Sequence, residues 1–110
     1  MNTVVTIAER RKQATERRRR ALAAVMAELK QYAEESGGRF LIFGSAAKDL
    51  VRPHSDLDVI IDFPTDQETA AWERVEGACR AHRIPCDIHS VSQSSPAFVE
   101  RMRKHAIMLA

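Results

Sequence analysis

Asp56 and Asp58 flank Leu57 where the apolar run Val59-Ile60-Ile61 begins, and Asp87 stands early in the later run Pro85 to Val91. Side chains at i and i+2 of a strand share a face about 6.6 Å apart along the chain, so Asp56 and Asp58 would point the same way. Asp87 would join them if the two strands are neighbours. Three carboxylates converging at one sheet end repel each other, and burying unpaired charge is costly, so the arrangement calls for cations. A pair of divalent ions roughly 3.5–4 Å apart would bridge such a set, as in phosphoryl and nucleotidyl transfer. Mg²⁺ suits it, taking a few carboxylates plus phosphate oxygens and needing no histidine. Upstream, Gly44-Ser45 follows a strand and opens a turn. The missing side chain of Gly44 lets backbone N–H groups approach a phosphate, and the Ser45 hydroxyl can donate to the same group.

The elements that must position these residues are readable from periodicity. Glu9 to about Glu35 predicts one long helix, with Leu22, Val25, Met26, Leu29, Tyr32 and Ala33 as its buried stripe. Ser36-Gly37-Gly38 ends it. The earlier half, ERRKQATERRRR, has no stripe beyond alanines and is expected to project or to rest on a partner. Arg39 to Phe43 and Leu57 to Phe63 read as buried strands. Between them Ala46 to Val51 reads as a short helix stopped before Pro53. A helix from Thr65 or Asp66 through His82, a strand from Pro85 to Val91, and a helix from Ser95 to about His105 complete the pattern. The expectation is an α/β fold, a three-stranded sheet covered by helices.

Composition points to a globular chain: 110 residues, 45% hydrophobic and 29% charged. This is the size of a single domain, divided into a basic helix over 1–36 and a core over 38–110. No apolar stretch approaches a membrane span and no signal-peptide core is visible, so a cytoplasmic protein is expected. Cys79 and Cys86 read as free buried thiols. Residues 1–30 hold eight Lys/Arg against three acids, a net of +5, and the remainder nets −3. Arg17 to Arg20 has no interleaved aromatics for base stacking and points around most of a helix, so direct nucleic-acid binding is not expected. A solvated or protein-docking helix is the simpler reading.

The spacing Gly44-Ser45, ten residues, Asp56-Leu57-Asp58 resembles the GSx10DxD motif of the DNA polymerase β-like nucleotidyltransferase superfamily. Arg52-Pro53, Ser55 and the VIID run after the aspartates are also similar, and the ending FVERMRKHAIML resembles the family's closing helix and glycine-isoleucine-leucine tail, with Ala106 for the glycine. Over residues 38–110 the chain looks like the minimal nucleotidyltransferases. That resemblance implies a palm with a small mixed sheet, metal binding by Asp56, Asp58 and Asp87, and nucleotide phosphates held by Gly44 and Ser45. It further implies Mg²⁺ with ATP as AMP donor, and Asp87 nearest the attacking hydroxyl. Such proteins are commonly paired with HEPN-domain ribonuclease toxins, whose tyrosine they adenylylate as antitoxins. The chain departs from the GSRARG form of the motif at Ala46 and Asp49. Loss of the arginine is expected to weaken nucleotide contacts, and Asp49 is expected to face away.

Blander readings stand beside these. His89 shares a face with Asp87 but reads as a structural histidine, and Asp62 as a surface residue. Lys48 and Arg52 either contact phosphate or are solvated. Trp72 and Tyr32 read as packing residues. A partner could also be neutralised by occlusion without catalysis, and a small-molecule transferase would need a further substrate domain.

Overall fold

The computed structural model of the chain describes residues 6–110. Helix α1 (Ile7–Ser36) leads into strand β1 (Arg39–Phe43), and a loop connects to β2 (Leu57–Asp62). A 3-10 turn (Thr65–Gln67) opens α2 (Glu68–Ala81), followed by β3 (Cys86–Ser90), α3 (Pro96–Arg103) and β4 (Ile107–Leu109). The sheet order is β3-β2-β1-β4; β1 runs antiparallel to both β2 and β4, whereas β2 and β3 are parallel. This is the expected α/β architecture with a mixed sheet and a long first helix.

Helix α1 is capped at both ends. The Thr6 hydroxyl accepts the Glu9 N–H at 3.1 Å, and Gly37, at φ 79°, gives its N–H to the Ala33 carbonyl at 2.9 Å. Its buried residues are Leu22, Val25, Leu29 and Ala33, spaced three or four apart. Before Leu22 no residue of α1 is buried, and Ile7 is 86% exposed. The first half therefore reaches along the outside of a molecule 58 Å in its longest dimension and 26 Å in the next.

Strand alternation divides the sheet into two faces. One face carries Phe40, Ile42, Leu57, Val59, Ile61 and Leu109 into a core shared with Leu22, Val25 and Leu29 of α1 and Ala71, Val75 and Cys79 of α2. Phe40 and Phe63 meet there with ring centroids 4.9 Å apart. Burial pushes the Cys79 thiol up to about 12, and both cysteines are free, as expected. The opposite face carries Leu41, Phe43, Asp58, Ile60, Asp62, Asp87 and His89, and α3 reaches part of it through Phe98.

Three expectations change. The sheet has a fourth strand: Ile107–Leu109 leaves α3 and pairs with the outer edge of β1, Phe40 opposite Leu109, satisfying backbone groups that three strands would leave open. Ala46 to Val51 is not a helix. One turn forms, with Lys48 N–H on the Gly44 carbonyl at 3.2 Å, and then Asp49 turns left-handed at φ 54°. Leu50 N–H closes back on the Ser45 carbonyl at 2.9 Å, the six-to-one bond of a Schellman closure. Segment boundaries also tighten: α3 ends at Arg103, and β2 at Asp62.

Candidate active site

Phe43, the last residue of β1, pairs with Asp58, and Gly44 follows it at φ 74°. A Cβ at Gly44 would collide with Asp58 Oδ2. The left-handed backbone favours glycine here, and any larger residue would also push the Asp58 carboxylate aside. Ser45 follows in the same turn and is half-buried.

The parallel register of β2 on β3 sets Asp58 opposite Asp87, and the Leu57 N–H donates to the Pro85 carbonyl at 2.9 Å, joining the starts of the two strands. Asp56 lies just ahead of β2. A tight turn delivers it: the Ser55 hydroxyl accepts the Arg52 N–H at 2.7 Å, and the Ser55 N–H donates to the Arg52 carbonyl at 3.1 Å. The structure thus gathers Gly44, Asp56, Asp58 and Asp87 at one end of this second face, with Ser45 in the adjoining turn. Burial, then the charges of Asp56 and Asp87, hold the Asp58 carboxyl above its ordinary value, while His89 acts in the opposite direction. Asp58 thus lies close enough to both other carboxylates to feel their charge.

His89 is linked to the site, beyond the purely structural reading its position suggested. Its Nε2 lies 3.3 Å from Asp87 Oδ2, and its ring packs beside Phe43 and Phe98, with centroids 6.0 and 5.3 Å away. Asp62 is not a lone surface charge, because Arg39 Nε lies 3.5 Å from its Oδ2 across the β1–β2 pair. Asp49 does face away, pairing with Arg19 of α1. Arg18, on the next position of α1, donates from Nε to the Pro53 carbonyl at 3.1 Å. Sequence reasoning missed both arginines, since a run of four gives no sign of which two turn inward.

All-oxygen donors of this kind suit a hard divalent cation such as Mg²⁺, which fills its remaining positions with water and phosphate oxygens. Among the described residues no three acidic, histidine or cysteine side chains already close around one point. Asp87 leans towards His89. A groove of about 590 Å³ lies beside the site, between Ile7, Arg10, Arg11 and Ala14 of α1 and the turn Arg52 to Ser55. Among the described residues no helix is long and apolar enough to cross a membrane.

A search of curated proteins finds no match for the chain. A family model does match, the "Poly(A) RNA polymerase, mitochondrial-like, central palm domain", over residues 1–106. Its palm is a polymerase β-like nucleotidyltransferase fold, in agreement with the four-stranded mixed sheet and the long first helix. The chain belongs to this family of nucleotidyltransferase palm domains.

Proposed function

We propose that the chain is a magnesium-dependent nucleotidyltransferase that moves AMP from ATP to a protein hydroxyl, a tyrosine of a partner HEPN-type ribonuclease, breaking the α–β phosphoanhydride and releasing pyrophosphate and the hydroxyl proton, and thereby acts as its antitoxin. The observation that carries the transferase chemistry is the Asp58–Asp87 register above Gly44, with Asp56 close enough to raise the Asp58 pKa. Asp56, Asp58 and Asp87 would hold Mg²⁺, which supplies positive charge to acidify the acceptor hydroxyl and to offset charge building on the phosphates. Gly44 leaves room for the phosphates, and Ser45 offers them a hydroxyl donor. Asp87 would stand nearest the acceptor, its carboxylate steadied by His89. The Asp87 side chain is 60% exposed, which favours an acceptor bringing its own surface over a small molecule in a closed pocket.

A second reading takes an RNA 3′-hydroxyl as acceptor. It is favoured by the family's poly(A) polymerase description and by Arg10, Arg11 and Arg52 in the adjoining groove. A third, neutralisation of the partner by occlusion alone, requires no carboxylate cluster. The test is to incubate the protein with the product of its neighbouring gene, with an oligo(A) RNA, and with Mg²⁺ and ATP, and to weigh all products. A gain of AMP units on the protein partner supports the first reading, and extension of the RNA supports the second. Restraint of the partner that survives Asp56→Asn/Asp58→Asn in full would leave occlusion.

A further inference from the structure

The arginine run of α1 reaches all three backbone segments that deliver the site. Arg18 Nε donates to the Pro53 carbonyl at 3.1 Å, three residues ahead of Asp56. Its Nη1 reaches the Arg83 carbonyl at 3.5 Å, four residues ahead of Asp87. Arg19 pairs with Asp49, four residues beyond Ser45, and its Nε lies 3.4 Å from Glu16 on its own helix. Arg18 and Arg19 are half-buried, whereas Arg17 and Arg20 are exposed. Two of the contacted residues are also special in backbone: Asp49 at φ 54° and Arg83 at φ 55° are left-handed without being glycine. Such turns persist when their surroundings hold them. Asp49 stands where the GSRARG form of the motif has glycine, so the ion pair replaces conformational freedom with a tether.

We propose that Arg18 and Arg19 are positioning residues for nucleotidyl transfer, a two-arginine clamp that fixes the Gly44–Asp49 turn, the approach to Asp56 and the approach to Asp87 against one helix. The clamp sits one turn before Leu22, where α1 becomes anchored in the core, so it transmits the rigidity of that helix to three loops. The positioning role rests on the transferase reading above; the mechanical tether does not.

Amide hydrogen exchange on the full chain without nucleotide tests the tether. Lys48, Leu50, Ser55 and Ile84 each donate a backbone bond within the clamped segments. Arg18→Ala is expected to speed exchange at Ser55 and Ile84 about tenfold, and Arg19→Ala, which removes a more exposed pair, to speed it severalfold at Lys48 and Leu50, each leaving the other arginine's segment unchanged. Arg18→Lys, with a single ammonium in place of the fork, is expected to restore one of its two loops and not both. Asp49→Asn keeps a residue tolerant of left-handed backbone; it should match Arg19→Ala, and the double variant should add nothing. Mg·ATP affinity, read by calorimetry, is expected to fall about tenfold in Arg18→Ala. Unchanged exchange in both arginine variants overturns the clamp. Faster exchange with unchanged Mg·ATP affinity overturns the positioning role. A wild-type chain that binds no Mg·ATP refutes the transferase reading, and exchange still decides the tether.

Discussion

Asp58 and Asp62 occupy the same strand and the same face, four residues apart, and their surroundings are opposite. Asp62 faces Arg39 across the β1–β2 pair, a charge with its neutralising partner. Asp58 faces Asp87, with Asp56 close by, and its pKa is raised by burial and by both like charges. The same residue type thus ends the strand as a satisfied surface ion and begins it as a charge the fold leaves uncompensated. Perturbed ionisation of that kind, beside Gly44, is what supports the proposed cation and nucleotide site at this end of the strand.

The most damaging test removes the charge that sets the two ends apart. Asp58→Asn should cut transfer by on the order of 10²–10³ or more, measured as AMP incorporated into the acceptor. The same variant should make the free protein more stable at neutral pH, by about a kcal/mol at most after allowing for solvent screening at a partly exposed group. The sign follows from the raised pKa: the folded state holds its proton more tightly than the unfolded one. Wild-type stability therefore falls as pH rises from the ordinary value of 3.8 through the raised folded value, and Asp58→Asn should lack that fall in urea titrations.

Mg·ATP at a hundredfold excess over its Kd should stabilise the wild type by about 2.7 kcal/mol, and chelation should reverse the shift. The same addition should leave Asp56→Asn/Asp58→Asn unmoved in a thermal melt. Gly44→Ala should cost about 1–3 kcal/mol, from left-handed strain and collision with the Asp58 carboxylate. Combining it with Asp58→Ala should recover the collision part, a coupling that a double-mutant cycle in urea would read. At the other end of the strand, Arg39→Ala should change stability by about 1 kcal/mol or less and leave transfer untouched.

The carboxylates were legible because strand period, chain spacing and the Gly-Ser turn all converge on one sheet end. Strands β1 and β2 were legible through continuous apolar runs, β3 through the segment from Pro85 to Val91, and α1 through its stripe and the Gly37 stop. Strand β4 was not, because Ile107-Met108-Leu109 merely continues the apolar residues of the preceding helix, and only non-local pairing with β1 makes it a strand. The Ala46–Val51 helix failed for a related reason. Local propensity favours a helix there, but Gly44 and Asp49 both adopt left-handed backbone, and Arg19 holds the second from a helix thirty residues away. His89 was placed on the right face, yet its contact with Asp87 depends on packing against Phe43 and Phe98 that no sequence pattern displays.

The central claim is that Asp56, Asp58 and Asp87 form the cation and nucleotide site, and calorimetric titration of Mg·ATP tests it most directly. The account predicts saturable one-to-one binding by the wild-type chain, lost in Asp56→Asn/Asp58→Asn although that variant stays folded, and retained in Arg39→Ala. Equal binding by the wild type and the double asparagine variant would contradict it.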